Sequence, residues 1–246
     1  MKYILGNWKL NKTVAQTKEY LAKFKQIYQK NKDAKVGIAV PYTDLSVTRI
    51  NGGLTLAQDV SAFDHGAYTS QISVELIKQF KNVKGSLVGH SEVRTLLHDT
   101  NQNINQKVLQ LLNNDLYCVF CIGETKSEYE NNQTTQVIDT QIREGLANVP
   151  SEKLKKLIVA YEPVWAIGTG LTATNEIVSQ VCQKVHEILA DLFGKVASKK
   201  IAVLYGGSVK SSNANAICNL PGVDGVLVGG ASLDPEEFNR IAQAAN

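Results

Sequence analysis

The chain carries at residues 157–163 a short apolar run that ends in one carboxylate and a proline, Leu157-Ile158-Val159-Ala160-Tyr161-Glu162-Pro163. Consecutive apolar residues of this length predict a β-strand that is buried on both faces, as in a parallel sheet. Proline cannot continue a ladder of sheet hydrogen bonds, so we expect the strand to stop before it. Glu162 is therefore predicted to stand at the carboxyl end of a buried strand, although an ordinary loop with a surface glutamate has the same pattern.

Similar β-rich runs alternate with amphipathic segments along the whole chain. The predicted strands are Tyr3–Leu10, Lys35–Val40, Leu54–Asp59, Gly85–Gly89, Leu116–Gly123, Lys156–Tyr161, Ile201–Gly206 and Gly225–Gly229. About eight strand–helix units in a chain of this length match the size of a closed (β/α)₈ barrel. We predict an α/β fold with residues 1–246 in a single domain. An open doubly wound sheet is the alternative, but no glycine-rich dinucleotide fingerprint follows the first strand.

The segments between the strands have the marks of helices. From Val14 onward, apolar residues that include Tyr20 and Phe24 recur on one helical face. Asp234 followed by Pro235 and two acidic residues predicts a helix start. Gly194 predicts the end of the helix that precedes it.

Composition and charge exclude several classes of partner. The chain is 43% hydrophobic and 20% charged, with a net charge of +3, which argues against nucleic acid as a partner. The N-terminal apolar run is too short for a signal peptide or a membrane span, so we expect a cytoplasmic protein with no membrane partner. Cys118 and Cys121 should face opposite sides of a strand as buried structural residues. No metal-ligand spacing or cofactor motif occurs, so we expect neither a metal nor a cofactor.

Polar residues follow several predicted strands, and in a barrel those strand ends form one rim where active sites lie. The first strand ends in Asn7-Trp8-Lys9, the fourth in His90 and the sixth in Glu162. His90 precedes a predicted helix, whose positive end disfavours imidazolium and favours a neutral imidazole donor. A surface lysine packed on Trp8 and a structural histidine are the alternative interpretations.

Two glycine-rich turns follow the seventh and eighth strands: Tyr205-Gly206-Gly207-Ser208 and Gly229-Gly230-Ala231-Ser232. Backbone amides exposed by glycine can surround a phosphate, and barrels often bind phosphate at these two loops. A carboxylate base, an imidazole, an ammonium group and a phosphate cradle together favour proton transfer beside a carbonyl on a small phosphorylated substrate.

With these motifs the chain resembles the triosephosphate isomerase family over essentially its full length. The motifs are Asn7-Trp8-Lys9, Ala57-Gln58, Gly89-His90-Ser91-Glu92, Cys121-Ile122-Gly123-Glu124, Ala160–Gly170, Tyr205–Val209 and Leu227–Leu233. The resemblance implies a single-domain (β/α)₈ TIM barrel that interconverts dihydroxyacetone phosphate and glyceraldehyde 3-phosphate. It also implies that Glu162 moves the proton and that neutral His90 hydrogen-bonds the enediolate. Lys9 would stabilise the negative charge, and Asn7 would orient the substrate.

The resemblance assigns further residues to phosphate binding and to a lid. Backbone amides of Gly168, Ser208, Gly229 and Gly230 would hold the phosphate. The lid tip would comprise Ala166, Ile167, Gly168, Thr169 and Gly170. The hinges would be Pro163-Val164-Trp165 and Leu171-Thr172-Ala173, with Tyr205 and Ser208 as the latch. Glu124 would contact Trp165 in the open lid.

The resemblance also implies a homodimer, in which residues 66–73 of one subunit reach the active-site region of the other. The expected interface residues are Thr69, Gln71, Val93, Leu10 and Asn11. Here the chain departs from the family, which usually has Gly-Glu at Ser70-Gln71, Arg at Val93 and Glu at Asp99. We therefore expect a homodimer weakened by the loss of an ionic cross-link, because both charged partners are absent together. Lys12 and Leu171 also replace the usual Gly and Lys.

Two other functions, an aldolase and a non-enzymatic binding protein, are the alternatives to an isomerase. An aldolase that forms a Schiff base needs a desolvated lysine inside the barrel, whereas the sixth strand supplies Glu162. A non-enzymatic binding barrel would be favoured by loss of a catalytic residue, yet Asn7, Lys9, His90 and Glu162 are all present.

Overall fold

A computed structural model describes residues 1–166 and 173–244 of the chain. Its parallel strands close into a barrel in the order β1 to β8. The strands are β1 Lys2–Asn7, β2 Ala34–Ala39, β3 Leu54–Ala57, β4 Val83–Val88, β5 Tyr117–Ile122, β6 Leu157–Tyr161, β7 Ala202–Tyr205 and β8 Gly225–Val228. Each strand pairs with the next, and β8 pairs with β1 through Ile4 opposite Val226. The predicted α/β barrel is confirmed.

Helices cover the outside of the barrel and connect its strands. They are α1 Val14–Ile27, α2 Val74–Lys78, α3 Ser91–Leu96, α4 Asn101–Asn113, α5 Lys126–Glu130, α6 Thr134–Gly145, α7 Asn175–Phe193, α8 Ser211–Cys218 and α9 Pro235–Gln243. The predicted start of α9 is confirmed, because the Asp234 side chain accepts a hydrogen bond from the Glu237 amide and Pro235 begins the helix. Gly194 ends α7 with a φ of 83°.

The first strand was predicted too long, since β1 ends at Asn7 rather than Leu10. Lys9 has a φ of 52°, a left-handed conformation that no strand continues. The chain turns sharply there, and Leu10 becomes almost fully exposed. No pattern of apolar residues signals this turn, because Trp8 is itself fully buried.

The alternating side chains of the strands divide the core into two layers. The inner layer fills the barrel with residues such as Leu5, Leu87 and Leu204, and the outer layer packs the strands against the helices. Cys118 belongs to the outer layer and Cys121 to the inner one. Both thiols are free and buried, which confirms their predicted structural role. Among the residues that the structure describes, no helix combines the length and apolarity needed to cross a membrane.

Barrel closure depends on a glycine at the start of β8. Gly225 has a φ of 150°, and a Cβ there would overlap the backbone of Tyr3 on β1. Gly194 also has a positive φ, but a Cβ there would have no neighbour within 4 Å. A side chain at Gly194 would therefore introduce backbone strain alone, whereas a side chain at Gly225 would introduce both strain and steric overlap.

We expect Gly225→Ala to lower the free energy of unfolding by more than about 3 kcal/mol, because strain and overlap act together. Gly194→Ala carries the strain alone and should cost about 1–2 kcal/mol. Urea unfolding followed by far-ultraviolet circular dichroism measures both. Equal losses in the two variants would contradict the role of Gly225 in closure.

Candidate active site

The predicted rim residues meet in one cleft at the carboxyl end of the barrel. The cleft has a volume of about 330 Å³, and its lining includes Asn7, Lys9, His90 and Glu162 together with both glycine-rich turns. These side chains come from β1, β4 and β6, while the turns follow β7 and β8. Lys210, which the sequence did not single out, also lines the cleft and adds a second ammonium group on the side of the glycine turns.

The Glu162 carboxylate is buried directly after β6. Its residue is 5% exposed, and its backbone amide donates to the Ile122 carbonyl at 2.7 Å. Oε2 has no hydrogen-bond partner among the residues that the structure describes. Gly206 provides the room for this side chain, since a Cβ at position 206 would lie 2.6 Å from Glu162 Cγ. The carboxylate is therefore packed in place at the end of β6.

His90 faces Glu162 and is oriented by the helix that it caps. Its Nε2 atom lies 3.3 Å from Glu162 Oε1, and its Nδ1 atom accepts a hydrogen bond from the Glu92 amide at 3.2 Å. An Nδ1 atom that accepts a hydrogen bond carries no proton, so this geometry assigns the proton to Nε2 of a neutral ring. The structure thus favours the neutral imidazole predicted from the sequence, with its donor directed at the cleft.

The pKa of His90 reflects two opposing influences. Burial lowers it, whereas the nearby Glu162 carboxylate raises it, and the net direction in the unliganded site is upward. Lys9 opposes the effect of Glu162. When Glu162 accepts a proton its charge disappears, so burial and Lys9 then favour the neutral imidazole. The protonation of His90 therefore depends on the charge of Glu162.

Lys9 is fixed by hydrogen bonds from three directions. Its amide donates to Asn7 Oδ1 at 3.0 Å, and its carbonyl accepts from Gln58 Nε2 at 2.9 Å. Its ammonium group forms an ion pair with Glu92 Oε1 at 2.6 Å. These contacts stabilise the positive φ of Lys9. Backbone strain of this kind persists where the surrounding structure holds the residue in place. Glu92 belongs to a motif that the sequence analysis identified, but nothing in the sequence shows that it pairs with Lys9.

The turn after β8 opens towards the cleft. It continues into a short 3₁₀ helix, Gly230–Leu233, and the amino end of such a helix in a barrel commonly binds phosphate. A Cβ at Gly229 or Gly230 would meet no atom within 4 Å, so free space lies beside both backbones. Ser208 lies on the neighbouring turn, with its hydroxyl 3.5 Å from the Ala166 carbonyl.

The segment after Glu162 is anchored by Trp165. Its indole donates to Glu124 Oε1 at 2.8 Å, and the Tyr161 hydroxyl donates to the same oxygen at 3.1 Å. The Tyr129 ring stacks on Trp165 with centroids 4.4 Å apart, a contact with no sequence signal. Burial raises the pKa of Glu124.

The structure describes only part of the predicted lid. Val164, Trp165 and Ala166 form one 3₁₀ turn, in which Ala166 is fully buried. Pro163 is buried before it, and Ala173 and Tyr205 are buried as well. The remaining lid residues lie outside the described residues: Ile167, Gly168, Thr169, Gly170, Leu171 and Thr172.

The expected interface residues lie at the surface. Leu10, Asn11, Thr69 and Gln71 are exposed, and Val93 is half-buried. Exposed apolar side chains lie, as these residues do, on the segments that follow β1, β3 and β4. They are Leu10, Phe63, Tyr68, Leu96 and Leu97. The Phe63 and Tyr68 rings stack with centroids 3.8 Å apart.

Asp99, which stands where the family usually has Glu, is paired within its own chain. Lys107 binds Asp99 at 2.8 Å and Asp59 at 2.7 Å, and its side chain is 6% exposed. Burial raises the pKa of Asp59 against the lowering effect of Lys107. The sequence does hold a signal for Lys107, which lies three residues after Ile104 on the buried face of α4. Asp99 therefore has a cationic partner in Lys107, although position 93 carries valine where the family usually has arginine.

The chain is similar over nearly its whole length to proteins that share one name. The family model described as Triosephosphate isomerase matches residues 2–245. A protein of that name from Mesomycoplasma hyorhinis is 40% identical over 245 residues, which cover 97% of this chain and 96% of its own. Another from Mesomycoplasma hyopneumoniae strain 7448 is 42% identical and covers 98% of both chains. One from Dictyoglomus thermophilum is 37% identical and covers 99% of both.

We expect Glu162→Gln to lower the pKa of His90 below its value in the unchanged protein. The amide removes the charge that raises this pKa most, and burial and Lys9, which lower it, then act against only the weaker raising effect of Glu92. Titration of the imidazole nitrogens by NMR measures the shift. A His90 pKa that stays constant or rises would contradict the coupling.

Proposed function

The chain belongs to the triosephosphate isomerase family, and from this premise we propose how the residues of the cleft perform the reaction. That reaction interconverts dihydroxyacetone phosphate and D-glyceraldehyde 3-phosphate in glycolysis and gluconeogenesis. It moves one proton between adjacent carbons and exchanges the positions of a carbonyl and a hydroxyl group. The enzyme is an isomerase, and the substrate is a small triose phosphate.

One observation carries the assignment of the catalytic base. The buried Glu162 carboxylate keeps one oxygen without a partner among the described residues and lies 3.3 Å from His90 Nε2. A base and an imidazole donor at this separation can act on adjacent atoms of one small substrate. The alternative of a surface glutamate does not fit, because the residue is 5% exposed.

In the proposed mechanism, Glu162 removes the proton from the carbon beside the carbonyl. The electron pair of that C–H bond forms a carbon–carbon double bond, and the carbonyl electrons move to oxygen to give an enediolate. His90 Nε2 donates its hydrogen to this oxygen and moves a proton between the two oxygens. Glu162 then returns its proton to the neighbouring carbon, so atoms and charge balance.

Lys9 and Asn7 are proposed to support the enediolate. The Lys9 ammonium group supplies fixed positive charge near the developing negative oxygen, which is effective in a cleft that excludes water. Asn7 is 5% exposed and holds the Lys9 backbone, so it can orient both Lys9 and the substrate. Glu92 limits the motion of the Lys9 side chain through their ion pair.

The phosphate is proposed to bind at the two glycine-rich turns. Amides of Ser208, Gly229 and Gly230 would bind it, together with the amide of Gly168 from the lid. The free space beside Gly229 and Gly230 supports this position. Closure of the lid would exclude water and strengthen the electrostatic effects around Glu162. Since the reaction transfers neither hydride nor electrons, we propose that it needs no cofactor or metal.

We expect Glu162→Gln to lower kcat by about 10³-fold, the size of effect that removal of a general base produces. The variant keeps the volume of the side chain and leaves the folded structure unchanged. A coupled spectrophotometric assay with glyceraldehyde 3-phosphate measures the loss. Glu187→Gln, a surface variant on α7, is the matched control and should keep full activity. Equal activity in both variants would refute the role of Glu162.

We also propose that residues 1–246 form one domain, that the protein acts in the cytoplasm, and that it forms a homodimer. Pairing of β8 with β1 joins the two ends of the chain in one barrel and supports the first statement. The exposed apolar side chains on the loops after β1, β3 and β4 support the third. Gln71 and Val93 cannot form a charged pair across the interface, so the dimer should be weaker than one with Glu and Arg there.

Sedimentation velocity over a dilution series tests this weakening. We expect the unchanged protein to dissociate before nanomolar concentration, and the double variant Gln71→Glu, Val93→Arg to remain dimeric to lower concentration. Each single variant is the control, because a lone charge gains no partner. A dimer of the unchanged protein that persists at nanomolar concentration would rule out the weakened interface.

A further inference from the structure

A second concave site lies at the opposite end of the barrel from the active-site cleft. It is formed between the C-terminal half of α1 and residues 47–52, the segment that precedes β3. Because α1 leads into β2, both walls belong to the amino end of the barrel. The cavity measures about 730 Å³, compared with about 330 Å³ for the active-site cleft. This volume is within the range of small-molecule sites.

The walls of this cavity, here called the α1 pocket, are apolar and partly aromatic. Leu21 and Tyr28 contribute from α1 and the residue after it, and Val47 and Ile50 contribute from the facing segment. The Phe24 and Tyr28 rings stack with centroids 4.9 Å apart and planes only 13° from parallel. A flat apolar group is the shape that fits beside such a wall.

The charged residues that line the α1 pocket all carry the same sign. They are Lys25, Lys30 and Arg49, and no aspartate or glutamate lines the pocket. None of the three forms an ion pair with a residue in the described ranges 1–166 and 173–244. Elsewhere on the same surface, lysines do find acidic partners, as Lys23 does with Glu236. Cations gathered around an apolar cavity attract an anion and repel one another without it.

Gly52 places one of these cations across the mouth of the pocket. A Cβ at position 52 would lie 3.2 Å from Lys30 Nζ, so the ammonium group rests against the bare backbone of the opposite wall. Gly52 also has a φ of 70°, which a side chain would strain. The backbone of residues 47–52 thus brings the Lys30 ammonium group to the side of the pocket that carries Arg49.

From these features we propose that the α1 pocket binds a small aromatic anion. The aromatic body packs against Tyr28 and the apolar wall, and its carboxylate, sulfonate or phosphate group lies between Lys30 and Arg49. Charge-assisted hydrogen bonds of this kind contribute more than neutral ones. The site is separate from the isomerase reaction, since it lies at the other end of the barrel.

Fluorescence titration with 8-anilinonaphthalene-1-sulfonate, an aromatic anion, tests the proposal. We expect saturable binding that weakens by about tenfold or more in the double variant Lys30→Gln, Arg49→Gln. The double variant Lys18→Gln, Lys32→Gln removes two exposed charges outside the pocket and should bind as the unchanged protein does. Both double variants should keep full isomerase activity.

Two outcomes would overturn the proposal. Equal affinity in the two double variants would show that the dye binds apolar surface without using the cations of the pocket. Amide NMR shifts at Leu10 and Tyr68 rather than at residues 21–30 and 47–52 would place the dye elsewhere. Shifts confined to those two segments support the α1 pocket even if the isomerase assignment were to fail.

Discussion

The contact between Glu162 and His90 is the interaction on which the site depends. Two buried titratable groups lie 3.3 Å apart, and the Glu162 carboxylate raises the pKa of His90. Burial lowers the pKa of the imidazole, and the charged carboxylate raises it. A change in the charge of Glu162 therefore changes how readily His90 holds a proton. This coupling requires both side chains to stay in place, which makes their support part of the chemistry.

Support for the pair comes largely from backbone placed by neighbouring strands. A side chain at Gly206 would strike Glu162 Cγ, and one at Gly123 would overlap the Glu162 backbone. The loops after β5 and β7 can thus approach the end of β6 from both sides only because they carry glycine. His90 is fixed instead by the Glu92 amide at the start of α3. The geometry of the cleft therefore depends partly on residues that have no reactive group.

The sequence predicted the features that depend on local pattern. It failed for features that depend on contacts between residues far apart in the chain. Short β-rich runs located all eight strands, and polar residues at their ends located Glu162, His90 and Lys9. The end of β1 was wrong because the positive φ of Lys9 is set by Asn7 and Gln58 rather than by its own residue type. The pairing of Lys9 with Glu92 spans 83 residues, and the stacking of Tyr129 on Trp165 joins α5 to the turn after β6. Such contacts form because the barrel closes, so they cannot be predicted before the structure of the barrel is known.

The departures at positions 71 and 93 leave the contacts around His90 intact, because α3 is anchored within the chain. Arg94, next to Val93, donates to the Gly89 carbonyl at 2.7 Å and to the Cys121 carbonyl at 3.2 Å. These bonds tie the start of α3 to the ends of β4 and β5, so residue 93 is not needed to hold His90 or Glu92. Asp99 has its cation in Lys107. The contacts that orient the imidazole and Lys9 therefore remain with glutamine at position 71 and valine at position 93. A weakened dimer of the kind proposed above would keep the same active-site geometry.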